Sequence, residues 1–327
     1  MAKIIGTGMH LPEKLVTNEE MYERFGRDPL TKVFSRIGHG ARYHSSKDEH
    51  AGDHAVKAAK KALESAGVTA EQVDLIIVST DTPAFLSPAT AAFVQHTLGA
   101  TKAAAFDVNC ACAGFVTAMD IAGKYLTGPD SQYNTALVIG TYAMSKFLDP
   151  KDANAYPLFG DGGGAVVLRR EDAARGYLAS TLLADGQYWD YMGIYGGGSA
   201  APASAEMVAE GKQCVRLLKK FPPTLNFDLW PPLIEKTLEK AKLKIEEIDM
   251  FIFTQIRKVT IVDVMKKYGL PMEKTHTIME KWGYTGSACI PMALHDAVSQ
   301  GRIKRGDKVV LCASGGGFAM ACIALEY

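Results

Sequence analysis

The sequence predicts an α/β protein built from two similar halves, and three observations support this. Short segments rich in Val and Ile alternate with helical segments, as in "DLIIVST", "TALVIGT", "GAVVL", "DMFIFTQ", "DKVVLCAS" and "ACIALEY". The segment "AGVTAEQVDLIIVST" (66–80) is echoed by "AKLKIEEIDMFIFTQ" (241–255), and "VNCACAGFVTAMDIAGK" (108–124) by "WGYTGSACIPMALHDAV" (282–298). Common α/β patterning is the alternative explanation, but agreement of several elements in order favours duplication, with halves at 1–170 and 171–327.

Composition and charge limit the class of protein. The 36 basic and 36 acidic side chains cancel, which argues against a nucleic-acid-binding protein. A hydrophobic content of 47% and a charged content of 22% are ordinary for a globular protein. No apolar run approaches the ~20 residues that span a bilayer, and the N-terminal "MAKIIGTGMHLPEK" lacks a signal-peptide pattern. We therefore expect a cytoplasmic protein that contacts neither nucleic acid nor membrane.

The cysteines and histidines show no spacing typical of a metal site. No CxxC pair or Cys–His cluster occurs among the six cysteines, which are Cys110, Cys112, Cys214, Cys289, Cys312 and Cys322. The chain is also long enough to fold without disulfides. Five histidines fall in the N-terminal region, where the pattern indicates surface or turn positions: His10, His39, His44, His50 and His54. The sequence thus predicts neither a metal nor a bound cofactor.

The stretch "FDVNCACAGF" (106–115) predicts a nucleophile. Residues 106–110 have the pattern of a strand end, and apolar residues from Ala113 to Leu126 recur at helical spacing. Cys112 then lies at the strand-to-helix elbow, with its sulfur facing the positive end of the helix dipole. That position favours the thiolate. Cys110 still belongs to the strand end and is expected to be packed.

Two stretches between the halves are rich in Gly and Pro and predict irregular structure. They are "YGGGSAAPAS" (195–204) and "KKFPPTLNFDLWPPL" (219–233). One interpretation is a surface loop. The other is a lid or tunnel wall, because the second stretch is unusually apolar, with Phe221, Phe227, Leu229 and Trp230.

Taken together, five segments resemble the β-ketoacyl-ACP synthase III family of the thiolase superfamily. They are "IIGTGMHLPEKLVTNEEM", "FSRIGHGARY", "FDVNCACAGF", "LFGDGGGAVVL" (158–168) and "GGGFAMACIALEY", in order over almost the whole chain. The resemblance implies a five-layered αβαβα thiolase-like fold and a homodimer. It implies acyl transfer from acyl-CoA or acyl carrier protein through a thioester on Cys112. It also implies that the N–H groups of Cys112 and Gly316 form the oxyanion hole.

The chain departs from this family at two positions. The family histidine of a "HQAN"-like segment is replaced by Thr254 in "FTQIRK", and the family asparagine of a "GNTS"-like segment by Tyr284 in "GYTGS". Either hydroxyl can donate one hydrogen bond, but neither is a base near pH 7. His276 is considered as a substitute for the histidine.

Asp81, in "IIVSTDTPAF", is the better candidate for a general base. It follows the strand that echoes the Thr254 strand, and hydroxymethylglutaryl-CoA synthases, another branch of the superfamily, carry a catalytic glutamate in a similar segment. A solvated aspartate at a strand end is the equal alternative.

The resemblance also implies binding roles for other residues. Arg36 matches an arginine near the CoA adenine, whereas the neighbouring aromatic position of the family is Lys32 here, which cannot stack on the base. Arg257 and Lys258 are candidates for holding a CoA phosphate or the acidic face of a carrier protein, with a solvated surface as the equal alternative. Phe85 and Ser87 fall where the family lines its acyl pocket.

Three functions remain open on the sequence. The first is a ketosynthase-like condensation with altered decarboxylation machinery. The second is acyl transfer from the cysteine to oxygen, nitrogen or an already activated carbon without decarboxylation, including a hydroxymethylglutaryl-CoA synthase-like condensation. The third is an inactive subunit that binds an acyl chain. The retained Cys112, its elbow and the glycines favour an enzyme.

Overall fold

The computed structural model describes residues 1–172 and 175–327, which form two β-sheets packed around central helices. The strands of the described chain are β1 (Ala2–His10), β2 (Lys14–Thr17), β3 (Ala41–His44), β4 (Leu75–Ser79), β5 (Ala104–Val108), β6 (Thr135–Tyr142), β7 (Gly162–Arg170), β8 (Tyr177–Ala184), β9 (Met192–Gly193), β10 (Arg216–Leu217), β11 (Met250–Phe253), β12 (Lys308–Gly315) and β13 (Ala319–Glu326). The α-helices are α1 (Asn18–Phe25), α2 (Arg27–Ile37), α3 (Ala51–Ala66), α4 (Thr90–Leu98), α5 (Gly114–Thr127), α6 (Ala205–Ala209), α7 (Leu225–Ala241), α8 (Lys258–Lys267), α9 (Met279–Trp282) and α10 (Cys289–Ser299).

The two large sheets repeat one pattern of strand pairing. The first has the order β1-β7-β6-β4-β5 and the second the order β8-β13-β12-β11. In each, two antiparallel pairings are followed by a parallel one, β6 with β4 and β12 with β11. The first sheet uses strands from residues 1–170 and the second uses strands from 171–327. On this basis we propose that the chain divides into halves 1–170 and 171–327.

Helices and sheets stack in five layers, which confirms the predicted αβαβα thiolase-like architecture. Helices α3 and α4 cover the outer face of the first sheet, and α7 and α8 cover that of the second. Helices α5 and α10 lie between the sheets and contact both. Both central helices are buried almost all round, so their sequences are apolar rather than amphipathic. Among the described helices, none is long and apolar enough to cross a membrane.

The predicted irregular stretch 219–233 is only partly irregular. Helix α7 begins at Leu225 and continues through Pro231 and Pro232. The prediction was wrong there because tertiary packing outweighs the low helix propensity of proline. Trp230 is fully buried and stacks on Phe253 with 5.1 Å between ring centroids.

Three of the five N-terminal histidines are buried, contrary to the prediction of surface positions. His39 is 3% exposed, His44 5% and His54 0%. Strand β3 and the start of α3 pack against the segment that precedes β7, and His44 Nε2 lies 3.1 Å from the carbonyl of Phe159. His39, His44 and His54 therefore face the interior.

The packing of Trp230 is testable by truncation. Replacing it with Ala removes a fully buried indole, so we expect Trp230→Ala to lower the free energy of unfolding by about 3–5 kcal/mol. The indole Nε1 has no hydrogen-bond partner in the described structure, so Trp230→Phe is expected to cost clearly less. Urea denaturation of both variants measures this, and equal losses would contradict the assignment of Trp230 to packing.

Candidate active site

Cys112 lies at a sharp turn between β5 and α5. The N–H of Ala113 donates to the carbonyl of Cys110 at 3.1 Å, and that of Gly114 donates to the carbonyl of Ala111 at 2.9 Å. Ala111 has a positive φ of 46°, a conformation that non-glycine residues rarely adopt. The turn places Cys112 immediately before the N-terminus of α5, as predicted, with 3% of the residue exposed.

Gly315, at the end of β12, packs directly against this turn. A Cβ atom at Gly315 would lie 2.4 Å from the carbonyl oxygen of Cys110 and 2.8 Å from the nitrogen of Cys112. Only glycine permits this approach. At Gly316 a Cβ atom would meet nothing closer than Met192 O at 3.6 Å, and Gly316 lines the cavity beside the cysteine. The resemblance emphasised Gly316, whereas the steric requirement falls on Gly315.

Tyr284 presents its hydroxyl to the Cys112 sulfur. Its N–H donates to the carbonyl of Leu158 at 3.2 Å, and its carbonyl accepts from the N–H of Gly160 at 2.9 Å. Its ring packs on Phe159, with 5.7 Å between centroids. The hydroxyl is placed to donate to the ionised sulfur, which lowers the pKa of Cys112. The two side chains therefore meet, whereas the sequence suggested Tyr284 only as a donor to an oxyanion.

Burial dominates the electrostatics of Cys112. Loss of hydration raises the pKa of the thiol well above its ordinary value, and the nearby Asp81 and Cys289 raise it further. The hydrogen bond from Tyr284 only partly offsets these effects. The thiolate expected from the helix end alone is therefore not the favoured form in these surroundings.

Asp81 lies after β4, close enough to Cys112 for its charge to act on the thiol. The Ser287 hydroxyl contacts both Oδ1 of Asp81, at 3.1 Å, and the carbonyl of Ala111, at 3.0 Å. Burial raises the pKa of the Asp81 carboxyl to about 6, although hydrogen bonds from its own backbone and from Ser287 lower it. Asp81 nevertheless keeps partial exposure to solvent at the end of its strand.

The structure does not place Thr254 or His276 in the cavity. The Thr254 Oγ1 accepts from the N–H of Ser314 at 2.9 Å and donates to its carbonyl at 3.4 Å. Its hydroxyl thus links β11 to β12 rather than facing substrate, a correction to the expected donor. His276 lies between Asp296 Oδ2 at 2.8 Å and Arg302 Nη1 at 2.6 Å, so it does not replace the family histidine.

A mainly apolar cavity of about 250 Å³ reaches Cys112 and Tyr284. Its apolar wall comes from several elements: Ile37, Leu158, Met192, Phe221, Pro222, Pro223, Leu225, Ile256 and Phe318. The start of the 219–233 stretch therefore forms part of the wall, in agreement with the tunnel-wall interpretation. Among the described residues that line the cavity, none is a histidine.

An open groove with basic side chains adjoins the cavity. The two share Pro223, Arg257 and Thr260, and the groove is also lined by Arg36, Thr224, Phe227, Asp263, Lys266 and Lys267. Arg36 and Arg257 therefore border the same groove. Lys258 is not among these residues, because its Nζ lies 2.5 Å from Glu280 Oε1.

Phe85 and Ser87 are not among the residues of the described chain that line the cavity. Both are exposed, Phe85 by 41%. The Phe85 ring lies 5.7 Å from the His50 ring and 6.4 Å from the Phe93 ring. Their segment lies on the surface of this chain.

Sequence reasoning missed several residues around the thiol. Ser287 and Cys289 belong to the segment that echoes the Cys112 elbow, and Cys289 begins α10 as Gly114 begins α5. Burial raises the pKa of Cys289 to about 12, so this thiol stays protonated. The echo between the halves was the signal that could have identified them, because equivalent helices start side by side at the centre of the fold.

Comparison with known proteins agrees with this geometry. Residues 106–186 match the family described as 3-oxoacyl-[acyl-carrier-protein (ACP)] synthase III, and residues 238–327 match its C-terminal region. The chain is 37% identical to the β-ketoacyl-[acyl-carrier-protein] synthase III of Syntrophomonas wolfei subsp. wolfei, over 99% of this chain and 97% of that protein. The chain belongs to the β-ketoacyl-ACP synthase III family. It is an acyltransferase of the condensing-enzyme type.

Solved structures show the same similarity. The crystal structure of 3-oxoacyl-[acyl-carrier-protein] synthase III from Aquifex aeolicus superposes with a TM-score of 0.89 at 32% identity, covering 100% of both chains. The priming β-ketosynthase from the R1128 polyketide biosynthetic pathway gives 0.88 at 25% identity, covering 100% of this chain and 96% of that one. The synthase III fold is thus shared over the whole length.

The electrostatic description of Cys112 predicts opposite effects of two substitutions on alkylation. Asp81→Asn removes a charge that opposes the thiolate, so we expect the Cys112 peptide to react several-fold faster with iodoacetamide between pH 7 and 9. Tyr284→Phe removes a donor and is expected to slow the reaction by a similar factor.

Peptide mass spectrometry separates Cys112 from the more distant cysteines, and fragmentation of the peptide it shares with Cys110 assigns the label to one of the two. The effect of Asp81→Asn should fade below pH about 6, where Asp81 is already protonated. Unchanged rates in both variants would show that neither group acts on the thiol.

The close contact of Gly315 with the elbow predicts that alanine is tolerated less well at Gly315 than at Gly316. Gly315→Ala forces a Cβ into the backbone of Cys110 and Cys112, so we expect the free energy of unfolding to fall by about 1–3 kcal/mol. Gly316→Ala is the matched control and should stay within about 0.5 kcal/mol. Chemical denaturation compares the two, and similar losses would contradict the described contact.

Proposed function

We propose that the protein loads an acyl group from acyl-CoA or acyl carrier protein onto Cys112 and passes it to an acceptor without decarboxylation. The single observation that carries this proposal is the pairing of Cys112 with Tyr284 at the cavity, with no imidazole lining it among the described residues. In the family the histidine and asparagine donate to the malonyl thioester carbonyl. In this chain the histidine is replaced by Thr254, whose hydroxyl is hydrogen-bonded to the backbone of Ser314. The asparagine is replaced by Tyr284, whose hydroxyl points to the sulfur of Cys112.

Acylation needs an oxyanion hole and a leaving thiol. The sulfur of Cys112 attacks the thioester carbonyl, and the carbon–sulfur bond to the donor thiol then breaks, with that thiol leaving in protonated form. The N–H groups of Cys112 and Gly316 are the proposed donors to the tetrahedral oxyanion. Gly316 lies at the cavity wall, and the contact of Gly315 with the elbow holds the two segments together.

We propose Asp81 as the general base. Its pKa of about 6 is close to the pH at which it would work, which suits a group that accepts a proton in one step and returns it in another. Ser287 fixes its orientation beside the elbow. Asp81 does not itself line the cavity, so the proposed proton path runs through the polar groups around Cys112.

The basic groove suits the donor. Arg36, Arg257, Lys266 and Lys267 border an opening that continues from the cavity, and cationic side chains of this kind bind phosphates or an acidic protein face. We therefore propose Arg36 and Arg257 for the phosphates of CoA or of the carrier-protein arm. Lys258 is left out of this set because it does not line the groove. A homodimer remains a prediction from the resemblance, and a cytoplasmic location remains a prediction from the composition and the N-terminal pattern.

Intact-mass spectrometry with a series of acyl-CoA donors tests the proposal. We expect a single acyl adduct that disappears in Cys112→Ala, and slower acylation in Tyr284→Phe by about 10- to 100-fold, because a hydrogen bond to a charged group is lost. Release of carbon dioxide from malonyl-CoA should not exceed the Cys112→Ala background.

The alternative functions give different results in the same experiment. Decarboxylation that depends on Cys112 would support the ketosynthase-like condensation instead. Failure of every donor to form an adduct on a folded protein would support an acyl-binding subunit without catalysis.

A further inference from the structure

Away from Cys112, two histidines and a glutamate converge between β1 and α3. His10 is the last residue of β1, Glu49 lies just before α3, and His54 lies in its first turns. One ligand atom from each of the three lies within 4.8 Å of the others. The rings of His10 and His54 stack with 5.5 Å between centroids.

The hydrogen bonds of His54 fix which nitrogen is free. Its Nε2 lies 2.7 Å from Ser45 Oγ, and Ser45 Oγ donates its only hydrogen to Asp161 Oδ2 at 2.6 Å. Since Asp161 is a carboxylate that only accepts, Ser45 accepts the Nε2–H of His54. The Nδ1 of His54 is then an unprotonated lone pair directed away from this chain of hydrogen bonds.

That nitrogen is buried without a partner in the described structure. His54 is 0% exposed, and its Nδ1 and the Nε2 of His10 are both buried atoms that make no hydrogen bond. Two buried, unpartnered imidazole nitrogens near a carboxylate are costly unless something binds them. A metal ion would use both lone pairs, and the His54–Ser45–Asp161 chain is the kind of outer shell that orients a ligating histidine.

We propose that His10, His54 and Glu49 bind a divalent transition metal ion, with zinc as the best match. Two imidazoles and one carboxylate, completed by water, are a common tetrahedral zinc set. Bond lengths near 2.0–2.1 Å place tetrahedral ligand atoms about 3.4 Å apart, so the side chains need to close by roughly an ångström. The ion would tie the end of β1 to the start of α3, and it is independent of the proposed acyl transfer.

Some nearby charges oppose a cation at this site and others favour it. Lys57 Nζ lies 2.8 Å from Glu49 Oε1, and Lys61 also lies near His10, so two lysines of α3 oppose a cation. The Lys57 side chain is 46% exposed and can turn to solvent when Glu49 binds metal. On the other side, the fully buried Asp161 favours positive charge at His54. Lys57 therefore competes with the ion for Glu49.

The test uses the full chain, freed of metal by a chelator and then dialysed against Zn²⁺. We expect one equivalent of zinc per chain, binding weakened at least tenfold in His10→Gln and in Glu49→Gln, and no change in His96→Gln, an exposed histidine of α4. Lys57→Gln should bind several-fold more tightly, because the competing cation is gone. The thermal midpoint of the unmodified chain should rise with zinc by a few degrees.

Cobalt identifies the ligands. Co²⁺ bound by nitrogen and oxygen gives visible bands without the near-ultraviolet absorption of thiolate ligation, which would indicate a cysteine instead. The proposal is overturned by thiolate absorption, by less than one equivalent of zinc, or by equal affinity in His10→Gln, Glu49→Gln and His96→Gln. Thermal unfolding without metal checks that the variants are folded.

Discussion

The contact between Gly315 and the Cys112 elbow is the constraint on which the site depends. It joins the end of β12, in the second sheet, to the turn between β5 and α5, in the first. A Cβ atom at Gly315 would fall 2.4 Å from the carbonyl of Cys110, so glycine is what allows the two backbones to approach this closely. The oxyanion donors proposed for the reaction come from these same two segments, so catalysis and the packing of the halves share one contact.

Much of this was predictable from the sequence because the relevant patterns are local. The strand-to-helix elbow, the echo between the halves and the glycine-rich ends each lie in consecutive residues, and they support an α/β protein of two halves and the family resemblance that implies the five-layered fold. The predictions that failed concerned contacts between residues that are far apart in the sequence. The helix through Pro231 and Pro232 forms because Trp230 packs on Phe253, and the hydroxyl of Thr254 is occupied by a backbone on another strand. Spacing along the chain carries no information about either partner.

The histidines illustrate the same limit. His10 and His54 are far apart in sequence and look like separate turn residues, yet β1 pairs with β7 and α3 covers both strands, which brings the rings together. The hydroxyl of Ser45 donates its hydrogen to Asp161, and this bond determines the tautomer of His54. Asp161 belongs to a third segment of the chain, just before β7. Short sequence motifs for metal sites do not connect the end of β1 with the start of α3, because the two are separated by about 40 residues.

Burial affects the free thiol of Cys112 and its acylated form differently. It raises the pKa of the free thiol because the charged form loses hydration, but a thioester carries no charge and does not suffer this penalty. A thiol of high pKa is also a poor leaving group, so an acyl group on Cys112 would leave slowly unless the acceptor is a strong nucleophile or is activated by a base. The surroundings of Cys112 therefore suit an acyl-enzyme that waits for an activated acceptor. In the proposed mechanism Asp81 is the group that activates the acceptor, and its pKa of about 6 suits that task.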